Sequence, residues 1–569
     1  MRDSSVGWSS GWALIAALSA SGIVACKATI DDPSTKGDAD TGDSETDASN
    51  RYDPDHLTVV TADIDEDEWL TLLDETRLFY EILMGPDCLQ EPVPNVFEWH
   101  PGSVTIDDET LDSVGFRKKG FIGSLSWTRP SLKVDSDRFV DGQEFADGTE
   151  HFTLNNNNQD LGRLHTCLAY GVFRAAGVPA PRCSFATVSV NGEDLGVYTN
   201  VQPIKKAFLR ENFSGDDGDL YEGTASDFSP DYLLTFDIKS DGSTLAPLEA
   251  LTEALSLPDD ELMDALDEVL DVDAFITYWA VEGLVGHWDG YSEASNNFYV
   301  YADPTDGRLR FIPWGADAVF EEPGRSPLYT GGQLALRLYD HPDGRAAWQT
   351  EMARLLDQVW DEDQLHSEID RMEALISPHL LDQAATAAAM NEARDFVEGR
   401  RETVEDLLDD TPSSRGFWVA ETTCLDPIGE LTGTFETTWR SNLDGDPFAG
   451  EATLSGEVNG EPLLSELVGT LAGVSDEGED LLVLLGTEPT YSDVVQVVLM
   501  LPPRLEPGTY DVDIAAVTGY VVHTDLAGGG DPEIIGLMGG QVTFDEVSTE
   551  TGAAISGSLE ALIIPNIFD

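Results

Sequence analysis

The sequence predicts an α+β chain of 569 residues in which a mixed region is followed by an antiparallel β-sandwich. Two changes of texture carry that expectation. From 56 to 410, β-like runs alternate with helical periods, clearest at 258–284, 348–360 and 365–376, where apolar residues return every three or four positions. After Thr411-Pro412-Ser413-Ser414 the helical period stops. Short β-like runs at 452–458, 481–485, 494–501 and 510–514 are then separated by Gly, Asn and Asp, the pattern of an all-β accessory or partner-contacting domain over 411–569.

Residues 1–25 hold one early arginine, the apolar run Trp12 to Leu18 and small residues. This reads as an export signal, too short and interrupted to span a bilayer. Ile23-Val24-Ala25-Cys26 resembles a bacterial lipobox, which implies cleavage before Cys26 and lipid attachment there. Residues 26–55, rich in Asp, Ser, Thr and Gly, cannot bury a core and suit an acidic disordered tether. The expected location is the cell envelope or cell surface, with membrane contact through the anchor.

Lys and Arg total 31 against 107 Asp and Glu, a formal charge of −76. That balance excludes nucleic acid as a default partner and makes any basic cluster stand out. It fits a saline environment and simple solubility equally well. With Cys26 taken as the lipid site, Cys88, Cys167, Cys183 and Cys424 remain, an even set in an exported chain. Four cysteines allow three pairings; Cys167 with Cys183 is favoured because they flank one helix-to-strand connection. No CxxC or HExxH spacing points to zinc.

In chain order, 57–60 reads as a strand and 68–73 as a short helix. Phe116-Arg117-Lys118-Lys119-Gly120 is the most basic stretch of the mature chain, and Arg129 to Val134 reads as a strand carrying Lys133. A helix over 164–176 ends at Gly177-Val178-Pro179. Asn191-Gly192 between β-formers predicts a tight hairpin. A strand with Lys239 follows, and then the long helical stretch that carries Glu282.

The densest set of site-like residues runs from Gly283 to Phe320. An apolar helix stops at Gly286 and presents Asp289 among aromatics and glycines; Asn296-Asn297 lead into the strand-like Phe298-Tyr299-Val300-Tyr301; the turn Asp303 to Gly307 returns the chain toward Asp317. Phosphoryl transfer needs such a combination: an acid to orient or deprotonate the acceptor hydroxyl, Asn and Asp to hold divalent metal, and a lysine on the phosphates. Asp289, Asn297, Asp317 and Lys133 are the candidates for those roles.

WDGY, NNFYVY and FIPWGAD, with GVPAPR at 177–182 and the VNGxxxGxY-like hairpin at 190–198, resemble the CotH kinase family, in the branch with PWGxD in place of PWDxD. The resemblance covers about 56–408. It implies an atypical, two-lobed protein kinase-like fold, ATP and Mg²⁺ as cofactors, and transfer to protein Ser/Thr. Arg117 lies in an R-x-K-G element of the family and joins Lys133 as a phosphate contact, with Lys239 as a further basic contact. His165-Thr166 and Gln202 stand where many members carry acids, and Glu282 is the candidate replacement carboxylate. These departures, and the scarcity of ATP outside cells, keep a second reading open: a catalytically inactive adhesin or binding protein.

Overall fold

The computed structural model describes residues 51–566 apart from 79, 81, 83, 85–87, 122, 410–412, 415–423, 476–477 and 514–515. The expected signal, Cys26 and the tether up to residue 50 lie outside the described residues; the last five residues of the expected tether are ordered instead, with Tyr52 buried and Arg51 paired with Glu109 (3.0 Å) and Asp147 (2.6 Å). The chain forms two compact units: Leu89–Glu421 with the segment ending at Glu75, and Thr422–Asp569 with Thr76–Cys88. The disulfide Cys88–Cys424, 336 positions apart in sequence, closes within the second of these. Cys167–Cys183, the favoured pair, is also bonded.

The first unit begins with a closed barrel of β1 (Leu57–Ile64), β2 (His100–Ile106), β3 (Glu109–Lys119), β4 (Ser131–Asp135), β5 (His151–Asn155), β6 (Cys183–Val190) and β7 (Glu193–Val201). Its order is β1-β2-β3-β4-β5-β7-β6, closed by a parallel pairing of β1 with β6. The β6–β7 turn is the expected hairpin: Asn191 and Gly192 both have positive φ, 53° and 83°, as a primed turn requires. Val60, Val104, Phe116, Leu132, Val134, Phe152, Leu154 and Val188 make the barrel core, joined by Trp69, Leu72 and Leu73 of α1 (Glu66–Asp74). Side chains alternate along a strand. Burying Phe116, Leu132, Phe152 and Leu154 inside therefore sends Gly115, Arg117, Lys119, Ser131, Lys133, Thr153 and Asn155 to the outer face. Register sets Arg117 beside Lys133 and Thr153 in one row, and Lys119 beside Ser131 in the next.

Beyond the barrel, α2 (His165–Ala176) leads to a four-stranded sheet of β8 (Asp219–Gly223), β9 (Asp237–Ile238), β10 (Phe298–Ala302) and β11 (Leu309–Pro313), in the order β11-β10-β8-β9. α3 (Val272–Val285) is buried on nearly every side, as its unbroken apolar run requires. Phe275, Tyr278, Tyr291, Phe298 and Phe311 pack as one aromatic cluster, with Phe275 and Phe311 centroids 4.7 Å apart. Arg400 of α4 (Gln383–Asp409) is fully buried, yet donates to the carbonyls of Gly283, Leu284, Pro323 and Arg325. Stranding a guanidinium costs several kcal/mol, so those carbonyls make the burial tenable and tie α4 to the C-terminal end of α3.

The second unit departs from the sandwich expectation. The strand Ala554–Ile564 pairs with both Gly429–Arg440 and Glu533–Glu546, and Gly429–Arg440 also meets Leu467–Val474 in parallel. One sheet closes on itself around Phe435, Trp439, Leu484, Val497, Phe544 and Ile563 instead of two sheets stacking. Turn signals specify strands; whether the last strand closes the circuit is decided by pairings more than a hundred residues apart.

Candidate active site

The loop after α3 is anchored from behind. α3 stops at Gly286, φ 74°, with His287 N–H reaching back to Glu282 O at 2.8 Å, the left-handed ending that glycine permits. The Glu282 carboxylate accepts from Tyr291 N and Ser292 N, each at 2.9 Å, and from Tyr278 Oη at 2.7 Å. It holds the start of the short helix Tyr291–Ala294, so the candidate replacement carboxylate partners backbone and a tyrosine. Asp227 holds the other end, accepting from Tyr291 Oη (3.0 Å), Ser295 Oγ (3.1 Å) and Gln333 N (2.8 Å). Desolvation outweighs these donors and pushes Asp227 up to about 6 and Glu282 up to about 7.

Asp289 is fully buried; its Oδ1 accepts from Asn296 Nδ2 at 3.1 Å and its Oδ2 from Asn297 Nδ2 at 2.7 Å. It meets Asn297 on the amide side and is not among the residues that line the cleft shared by Asn297 and Asp317. Asn297 has φ 53°, a left-handed conformation that Asn tolerates. Its Oδ1 is buried with no hydrogen-bond partner. Gly315, φ 51°, makes room for that oxygen: a Cβ at 315 would sit 2.3 Å from it. An aspartate there, as in the PWDxD pattern, would displace the Asn297 amide.

Asn297 and Asp317 line one cleft together with Lys119, Ser131, Asn155, Tyr170, Val201 and Trp314. Lys119 Nζ donates to Asn155 Oδ1. His165, on α2, meets the Asp317 backbone oxygen at 2.8 Å through Nδ1, tying the Trp314–Asp317 loop to that helix. Among the described residues no three His, Cys, Asp or Glu gather as a metal cage. One carboxylate and one orphaned amide oxygen nevertheless fit Mg²⁺, which is commonly held by one or two protein groups with waters and substrate phosphates completing the shell.

The basic candidates separate. Lys133 and Arg117 line a neighbouring concavity with Trp99, Arg138, His151 and Lys205, one row along the same sheet face. Lys119 is the lysine that shares the cleft with Asn297 and Asp317. It was visible in the basic stretch 116–120, but only the β3–β4 register shows which cation falls in which row. Tyr170 and Trp314 join the cleft walls for the same tertiary reason. Lys239 pairs with Glu222 (2.9 Å) and Asp237 (2.5 Å) and lines neither space. Thr166 is buried on α2, and Gln202 is engaged with Glu211 and the Arg182 backbone, at 2.9 and 3.1 Å.

The chain is 20% identical over 337 residues to inner spore coat protein H of Bacillus subtilis, covering 53% of this chain and 87% of that protein. A second B. subtilis relative, inner spore coat protein H-like protein, is 26% identical over 301 residues, 49% of this chain and 85% of that one. Invasin CotH7 of Rhizopus delemar is 21% identical over 255 residues, 40% of this chain and only 43% of the fungal protein, so the chain spans under half of that relative's length. The Helicobacter pylori proinflammatory kinase CtkA matches at 9% identity over 49% of this chain and 92% of that chain, with a TM-score of 0.26, too low to equate the folds. The family model for CotH kinase protein matches residues 116–406, just over half of the 569. The chain belongs to the CotH kinase protein family.

Proposed function

We propose that this chain is an exported, lipid-anchored protein kinase that transfers the γ-phosphate of ATP to protein Ser/Thr, its barrel and helical part acting as two lobes around the Asn297–Asp317 cleft. One observation carries the reading: Lys119, Asn297 and Asp317 share a cleft with Trp314 and Tyr170. Trp314 and Tyr170 would border a bound nucleobase, as aromatic residues of ligand clefts do, and Lys119 would offer a point charge to phosphate. Asn297 Oδ1 and the Asp317 carboxylate would hold Mg²⁺, which when bound neutralises charge on the transferring phosphoryl group. Asp289 keeps the proposed part of proton acceptor for the hydroxyl, with the added duty of orienting the Asn297 amide.

The names of the relatives, spore coat proteins and invasins, support a surface location. Among the described residues no helix is long and apolar enough to cross a membrane, and the anchor rests on the Cys26 motif, testable by the intact mass of the mature N-terminus. The second reading, a binding protein with an inactive cleft, is favoured by Thr166 and by Gln202, whose amide is turned to Glu211. Calorimetry with Mg·ATP and phosphate incorporation into the chain and an acceptor panel decide between the two, with Asp317→Ala as the control expected to lose both. Binding without transfer selects the inactive reading. Absence of nucleotide binding in the wild type would sink the kinase.

A further inference from the structure

A covalent bond joins two sides of the Asn297–Asp317 cleft. Lys119, Asn155 and Val201 reach it from barrel strands, Tyr170 from α2 and Asp317 from the loop after β11. On the barrel side, Cys183 opens β6 and is the register partner of Val201 on β7. On the helical side, Cys167 lies in the first turn of α2, three positions before Tyr170, a spacing that makes the two neighbours on the helix surface. The Cys167–Cys183 disulfide, with Cα atoms 5.2 Å apart, therefore ties the start of α2 to the strand pair that borders the cleft.

The same turn of α2 carries the Asp317 loop. His165, two residues before Cys167, donates from Nδ1 to the Asp317 carbonyl at 2.8 Å, and its ring centre lies 6.0 Å from that of Phe320. Further along, Phe173 meets Tyr278 of α3 with ring centres 5.8 Å apart, so the body of the helix is held on the helical side. Phe185, Val197 and Val201 of the barrel belong to the same apolar core as α2, and that packing is available in either oxidation state. The bond adds a fixed point at the turn that bears His165. Opening it leaves the helix packed but lets its first turn shift against the barrel, and the Asp317 backbone shifts with it.

We infer that the Cys167–Cys183 disulfide is a redox switch of this cleft: bonded, it fixes the first turn of α2 and, through His165, the backbone of Asp317; opened, it loosens that loop and weakens Mg·nucleotide binding. The nucleotide part rests on the kinase reading, whereas the coupling of bond to loop does not. Opening needs a dithiol reductant: the S–S bond breaks, two electrons and two protons pass to Cys167 and Cys183 as thiols, and the reductant closes to its own disulfide. Thiols stay reduced in the cytoplasm and pair in oxidising compartments, so in an exported chain the cleft becomes competent after export. Cys88–Cys424 closes within the other unit and serves as the internal control.

The test compares the mature chain carrying Cys88→Ala and Cys424→Ala before and after treatment with a small dithiol, with thiols counted by alkylation and intact mass. Trp314 N–H bonds to Asn297 O at 3.1 Å and Asp317 N–H to Gly315 O at 3.0 Å, so hydrogen exchange at 314–317 reports the loop without any ligand. Reduction should speed that exchange about tenfold or more, as a local opening does, and weaken Mg·ATP binding in calorimetry by about tenfold, within the usual range of coupling between sites. Reoxidation should restore both. Cys167→Ala with Cys183→Ala, in a chain that keeps Cys88 and Cys424, should match the reduced form with no reductant present, which guards against damage from the control substitutions. Unchanged exchange at 314–317 with the bond shown open would overturn the switch. Exchange rising evenly across the whole unit, or global unfolding, would also overturn it and make the bond a general brace. Faster loop exchange with unchanged Mg·ATP affinity would overturn the regulation. Faster loop exchange with no nucleotide bound in either state would remove the kinase reading and leave the coupling of bond to loop standing.

Discussion

Asn297 donates its side-chain amide to Asp289 Oδ2 at 2.7 Å, while its own Oδ1 is buried and unpartnered. One asparagine thus joins a hidden acid to the cleft, its donor end fixed and its acceptor end without a hydrogen bond.

Asp289→Asn tests both duties of that acid. Losing the charged acceptor should lower Mg·ATP affinity by roughly fivefold to thirtyfold, the scale of a buried hydrogen bond of about 1–2 kcal/mol. Phosphoryl transfer should fall by about 10²-fold or more, the scale of a positioned proton acceptor. Calorimetry and phosphate incorporation on one preparation separate the two. Intact affinity would remove the orienting duty, and intact transfer the chemical one.

Gly315→Ala places a methyl 2.3 Å from Asn297 Oδ1. Left-handed strain alone costs about 1–2 kcal/mol, so the unfolding midpoint should fall. Mg·ATP affinity should drop by about tenfold or more beyond that, because the displaced atom is the proposed ligand oxygen. A lowered midpoint with unchanged nucleotide affinity would show that Asn297 Oδ1 is not a ligand.

Glu282 gives a pH signature of uncommon sign. Its folded-state value is raised to about 7 from an ordinary carboxylic value, so the native state holds the extra proton in between. Its contribution is full below pH about 4.5 and is lost as pH rises toward 7. The stability difference between wild type and Glu282→Gln should therefore shrink over that window and level off above about pH 8, read from denaturant midpoints. A difference independent of pH would mean that Glu282 is ionised throughout.

Salt should stabilise the chain. With 107 acidic residues against 31 basic ones, screening that shortens from about 10 Å at 0.1 M to about 3 Å at 1 M relieves self-repulsion. Thermal midpoints should rise over that range, in NaCl and KCl alike. A flat response would assign the acidity to solubility alone.

What the sequence by itself determined was local. The stop of α3 at Gly286, the Asn191-Gly192 turn, the β10–β11 hairpin and the strands of the second unit each follow from residues within a few positions of one another. The family motifs likewise brought Asn297 and Asp317 forward, since both lie in one short segment around a single hairpin. Tertiary structure decided everything that depends on which row of which strand faces what. Lys119 shares the cleft and Lys133 its neighbour because Lys119 registers with Ser131 and Arg117 with Lys133. Nothing within the basic stretch itself distinguishes those lysines. The burial of Asp289, the turning of Glu282 toward Tyr291 and Ser292, and the closure of the last sheet through Ala554–Ile564 have the same origin. Each depends on partners distant in sequence or on packing that several elements share, and local propensity carries no record of either.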